Sequence, residues 1–115
     1  AAVEHLVQWL REQAYLPAIA LFAALSDKDV HAMIRACEGV FQRWWVPALP
    51  GVARAMPAQT LARQMMDSGA RNVTPCQSVA DAWGRLQDSA EDGLVVVFGS
   101  FHTVSAFMAL QELTT

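Results

Sequence analysis

A chain of 115 residues, 54% hydrophobic and 17% charged, is long enough for one buried core, too short for two, and too apolar to be disordered. Its net charge of −3, with no basic cluster or aromatic-basic interleaving, leaves no electrostatic footprint for nucleic acid. The longest nearly apolar run, Leu16 to Leu25, contains Pro17 and is about half the length of a bilayer span, so no membrane segment is expected.

Residues Ala1 to Gln13 place Val3, Leu6, Val7 and Leu10 at i, i+3, i+4 and i+7, which predicts a one-faced helix. Glu4, His5, Arg11 and Glu12 interrupt the apolar residues there, against a signal-peptide pattern. Tyr15 to Ala24 carries Ile19, Leu21 and Phe22 without helical periodicity and predicts a buried strand. Ser26-Asp27-Lys28-Asp29 then caps a helix bearing Val30, Met33, Ile34 and Cys37, which Gly39 stops. Phe41 to Val46 is aromatic and β-branched enough for another strand. Pro47 to Pro57, with three internal or terminal prolines and a glycine, reads as one long ordered loop, and Pro57 as the first residue of the helix that follows.

Ala58, Leu61, Ala62 and Met65 form the buried side of that helix, which ends at Gly69. Arg71 to Thr74 reads as a short edge strand, and Ser78 opens a helix with Val79, Ala82, Trp83 and Leu86 inward and Asp81, Arg85 and Asp88 outward. Leu94 to Phe98 is apolar enough to predict a strand in the middle of a parallel sheet, covered on both faces. Gly99 supplies a turn, Ser100 an N-cap, and Val104, Phe107 and Met108 the periodicity of a final helix to about Glu112. The fold class expected is α/β: a three-layer, mostly parallel, Rossmann-like sheet with helices on both faces, in one domain spanning residues 1–115.

Parallel topology gathers the turns that follow successive strands at one edge of the sheet. The Ser26–Asp29 turn, the Pro47–Pro57 loop and the Gly99–Thr103 turn are expected there, offering Lys28, Arg54, Ser100 and two helix N-termini. A positive side chain with helix N–H groups suits a carboxylate or phosphate, while Asp27 and Asp29 suit an ammonium group or orient Lys28. An amino acid displays both charges. The same residues have plainer roles: Ser26 and Asp29 as helix caps, Lys28 as a solvated surface residue, Ser100 as an ordinary N-cap, His102 as structural. His5 and His31 are expected to face solvent. Cys37 and Cys76, without metal-ligand spacing, read as reduced core thiols of a cytoplasmic protein. Neither G-x-x-x-x-G-K-[ST] nor G-x-G-x-x-G is present, so a P-loop and a dinucleotide fold are unsupported, and no metal site is expected.

Taken together, Leu25-Ser26-Asp27-Lys28-Asp29-Val30, Trp44 or Trp45 before a proline-rich loop with Arg54-Ala55, Val79-Ala80-Asp81-Ala82-Trp83, and Val97-Phe98-Gly99-Ser100-Phe101-His102-Thr103-Val104 resemble the C-terminal domain of bacterial bifunctional dihydrofolate synthase/folylpolyglutamate synthase, of the Mur ligase superfamily. D-K-D and G-S-F-H-T are the specific pieces. The resemblance implies an ATP- and Mg²⁺-dependent ligase whose C-terminal domain closes over a central P-loop domain of the same chain. There, ATP phosphorylates the carboxylate of dihydropteroate or of a folate's terminal glutamate, and the amine of L-glutamate attacks the acyl phosphate.

By motif, Ser100 resembles the family's glutamate-pocket serine and Lys28 the loop lysine that faces the incoming amino acid or transferred phosphate. Asp27 and Asp29 would hold that loop; Arg54 and His102 lie in matching motifs without an assigned role. The family's strand ending in Asp-x-Ala-His-Asn-Pro, ahead of the first helix, is absent here, as is the P-loop domain. The chain is therefore expected to be a fragment without ligase activity, with ATP and Mg²⁺ bound mainly outside it. The rival expectation is a stand-alone interaction module using Trp44, Trp45 or Trp83 as a docking patch.

Overall fold

A computed structural model describes residues 2–14 and 16–114. Ala1 and Tyr15, which open two of the predicted segments, lie outside the described residues. Among the described residues, helices and strands alternate as α1 (Ala2–Glu12), β1 (Ala18–Phe22), α2 (Val30–Ala36), β2 (Phe41–Pro47), α3 (Ala58–Asp67), β3 (Val73–Cys76), α4 (Val79–Asp88), β4 (Val95–Phe98) and α5 (Phe101–Thr114). The strands form one sheet in the order β3-β2-β1-β4, and every adjacent pair is parallel.

Strand alternation sorts side chains into two cores, because successive Cβ atoms point to opposite faces. From β1, Ala20 and Phe22 enter the core shared with α1, α2 and α3, where Leu10, Ile34, Leu61 and Met65 meet them. Ile19, Leu21 and Ala23 enter the opposite core, under α4 and α5, with Val79, Ala82 and Leu86. On β2, Trp44 and Val46 take the first side and Trp45 the second. Two helical layers thus sandwich the sheet, as expected of the α/β class.

The strand predicted for the middle of the sheet is displaced to its edge. Every residue of β1 is buried and β1 pairs with both β2 and β4, whereas β4 pairs only with β1 among the described residues and is half-buried throughout. An apolar run reports that helices cover both faces of a strand, and β4 does send Val96 and Phe98 to one core and Val95 and Val97 to the other. It does not report how many strands lie beside it. The edge strand predicted at Arg71 to Thr74 occurs two residues later, and Pro75 is tolerated there because an edge strand need not donate on its open side.

Pro57 is also corrected. It is the N-cap of α3, with extended ψ of 138°, and the helix begins at Ala58. Trp44 and Trp45 are buried, and Trp44 packs edge-on against Phe22 with ring centroids 5.6 Å apart. Trp83 is half-buried, its ring 5.0 Å from that of Phe107. The tryptophan docking patch of the rival reading therefore loses Trp44 and Trp45, two of its three candidates, to the core. Both cysteines are buried and free, and burial pushes the Cys37 thiol up to about 11 and the Cys76 thiol above its ordinary value. Neither is a thiolate nucleophile near neutrality. No helix among the described residues is long and apolar enough to cross a membrane.

Candidate functional site

All four strands run in one direction, so the connections leaving β1, β2 and β4 emerge at the same edge. Two of them are joined directly. The Ser26 N–H donates to the Arg54 carbonyl at 2.8 Å, the Met56 N–H to the Ala24 carbonyl at 3.0 Å, and Leu25 and Ala55 form an isolated antiparallel bridge. The Arg54 guanidinium closes the junction on Asp27, Nη2 to Oδ2 at 2.8 Å. This pair is well exposed, so its net worth is small, about 0–1 kcal/mol. What it does is spend both charges on each other. Arg54, expected as a free cation for a ligand, instead ties the long loop to the Ser26–Asp29 turn.

Asp29 is the N-cap of α2, its Oδ1 accepting from the Ala32 N–H at 3.0 Å, while Ser26 takes no part in capping. With Asp27 and Asp29 committed, Lys28 projects from a turn fixed on both sides. Among the described residues it has no ion-pair partner. Lys28 and Asp29 line a cleft of about 440 Å³ with Gly99, and Val3, Leu6, Met33 and Phe98 provide its apolar wall. Glu4 lines the same cleft, so two carboxylates, those of Glu4 and Asp29, share it with the Lys28 ammonium and the apolar wall.

On the other side of the Gly99 turn, His102 is exposed and lines a different groove, of about 400 Å³, with Leu49, Val52, Ser78 and Leu110. His102 and Lys28 therefore belong to separate depressions. Ser100 lines neither of them; it is half-buried and caps α5: its hydroxyl accepts from the Thr103 N–H at 3.1 Å and lies 2.8 Å from the Thr103 hydroxyl. Thr103, which sequence reasoning missed, is fully buried and is the one buried polar side chain among the described residues. Its signal was the Ser-x-x-Thr spacing after a glycine, a cap pattern too common to single out a residue.

Among the described residues, no group of three or more His, Cys, Asp or Glu side chains is placed to hold a metal ion. The described residues of this edge thus offer the Lys28 cation, a capping hydroxyl and an apolar cleft.

No protein-family model matches the chain, and no curated protein matches its sequence. Solved structures do. The bifunctional folylpolyglutamate synthase/dihydrofolate synthase of Yersinia pestis, complexed with AMPPNP and Mn, superposes with a TM-score of 0.80 at 28% identity over 96% of this chain. Escherichia coli FolC in complex with DHPP and ADP gives 0.78 at 28% identity over 98% of it. A bifunctional synthase with Mn, AMPPNP and L-glutamate bound gives 0.77 at 29% identity over 96%. The chain spans 26% of the length of each of these proteins. In fold and in extent, then, this chain matches one domain of the bifunctional folylpolyglutamate/dihydrofolate synthases, consistent with the C-terminal domain that its D-K-D and G-S-F-H-T motifs resemble.

Proposed function

We propose that the chain is the C-terminal domain of an ATP-dependent ligase that adds L-glutamate to dihydropteroate and to folates, and that its share of the work is the amino-acid side of the site. The observation that carries this reading is the match, over nearly the whole chain, to a synthase solved with L-glutamate, Mn and AMPPNP. ATP and Mg²⁺ would be held mainly by a P-loop domain of the same polypeptide, since this chain has no P-loop motif and, among its described residues, no metal cluster. The enzyme would work in the cytoplasm.

Within that reading, Lys28 meets the carboxylate of the incoming glutamate or the transferred phosphate, and Ser100 supplies a hydroxyl to the glutamate pocket. Asp27, held by Arg54, and Asp29, held by the first turn of α2, fix the loop that aims Lys28. His102, in its own groove, stands outside this set. Closure of the cleft against a second domain would exclude water from a phosphorylated carboxylate, which hydrolysis otherwise destroys.

The test is steady-state kinetics of the full-length ligase with Lys28→Ala and Ser100→Ala. Each should raise the KM for L-glutamate roughly ten-fold, the effect of losing one charge-assisted hydrogen bond, and leave the KM for ATP unchanged. The 115-residue chain alone should release no ADP from ATP with dihydropteroate and glutamate. Unchanged glutamate kinetics in both variants, or turnover by the chain alone, would overturn the assignment.

A further inference from the structure

We propose that Thr103 is a positioning residue for Ser100, and that it decides whether Ser100 meets the ligand as a hydrogen-bond donor or as an acceptor; this rests on the reading of Ser100 as part of the glutamate pocket. Thr103 has no accessible surface to offer a ligand. It is wholly buried behind the β4–α5 turn, with its hydroxyl 3.4 Å from the carbonyl of Ala23, the residue after β1, and 2.8 Å from the Ser100 hydroxyl. An ordinary cap needs only that Ser100 accept the Thr103 N–H. The second contact, hydroxyl to hydroxyl, is additional.

Each hydroxyl has one proton to give and two lone pairs to receive. When Thr103 donates to the Ala23 carbonyl, Ser100 donates to Thr103. The Ser100 oxygen has then given its proton inward and received one N–H, so it shows the ligand a single lone pair, which suits an ammonium group. In the alternative arrangement Thr103 donates to Ser100. The Ser100 oxygen then receives both the Thr103 N–H and the Thr103 O–H, and its own proton turns outward to a carboxylate. No proton is gained or lost. The cost is the contact to Ala23, which at 3.4 Å is long for an O–H···O bond. The gain is a chain of hydrogen bonds from Thr103 through Ser100 to the anion, in which each link polarises the next.

The experiment is glutamate-dependent kinetics of the full-length ligase carrying Thr103→Val, which keeps the shape and removes the hydroxyl, with Thr103→Ser as the conservative variant. Thr103→Val should raise the KM for L-glutamate several-fold, up to roughly ten-fold, with kcat little changed, and Thr103→Ser should restore it. In a Ser100→Ala background, Thr103→Val should have no further effect on KM, because Thr103 acts only through Ser100. A wild-type KM in Thr103→Val, or an undiminished effect in the Ser100→Ala background, overturns the proposal while leaving Ser100 in the pocket. If Ser100→Ala itself leaves KM unchanged, the pocket reading of Ser100 fails and this one with it.

Should Thr103→Val not fold, the wild-type enzyme labelled at threonine nitrogen answers independently. Saturating L-glutamate should move the Thr103 amide resonance, because the Ser100 oxygen it donates to changes its other bonds. A fixed resonance overturns the exchange of donors.

Discussion

At Gly99, one residue decides whether the site can exist. Its φ is +114°, and a Cβ there would run into the Ala23 carbonyl oxygen and lie 2.8 and 2.9 Å from carbons of the Phe22 ring. Backbone and an aromatic ring fixed in the core cannot yield as a flexible side chain end would. Gly51 has a positive φ too, +83°, but a methyl group on its Cα would meet nothing within 4 Å. Gly99→Ala should therefore cost about 2–4 kcal/mol, strain and overlap together, and Gly51→Ala only about 1 kcal/mol from strain. Urea denaturation of the two variants separates these terms; equal losses would remove steric crowding as the reason for glycine at 99. The turn at Gly99 was legible in the sequence because a strand, a glycine and a cap stand in a row. The partner of Arg54 was not, since nothing local marks Asp27, separated from it by 27 positions, as its counter-charge. Thr103 was hidden in the same way: burial of a hydroxyl depends on the Ala23 carbonyl across the sheet, 80 residues earlier.

Among the elements, α4 has the most explicit start signal. Ser78 accepts from the Asp81 N–H at 3.0 Å, Asp81 Oδ2 in return accepts from the Gln77 N–H at 2.9 Å, and Arg85 Nε donates to Asp81 Oδ1 at 3.1 Å. The Gln77 N–H bond, ahead of the Arg85 charge, holds the Asp81 carboxyl below its ordinary value of 3.8. A folded-state pKa below the unfolded one means the carboxylate stabilises the fold at pH above 3.8 and loses that contribution as pH falls through the depressed value. The stability advantage of wild type over Asp81→Asn should thus be constant near neutrality and shrink in acid, read from urea midpoints at successive pH values. An advantage independent of pH would show that the charge contributes nothing. Caps such as this were readable because their partners lie within four residues. Strand position was not, because hydropathy describes the faces of β4 and in-plane neighbours leave no periodic mark.

The whole molecule is lopsided about β1, and the asymmetry predicts where it opens. β1 and β2 are flanked by strands on both sides, and Phe22, Leu21, Ile19 and Val46 are inaccessible to solvent or nearly so. β4 has one strand partner among the described residues and is half-buried, while α5 leaves Phe101 80% and Met108 58% exposed. Local opening free energy follows buried apolar contact and protected backbone bonds, so β4 and α5 should open together well below the global unfolding free energy. Native-state hydrogen exchange of the 115-residue chain in low urea would show this. Amides of β1 and β2 should exchange only through global unfolding, with steep urea dependence, and those of β4 and α5 through a smaller opening with a shallow one. The turn carrying Gly99 and Ser100 lies inside this opening unit, so a ligand or a second domain bound there should slow exchange in β4 and α5 most. One common urea dependence for all four strands would instead make the α5 layer part of a single cooperative core.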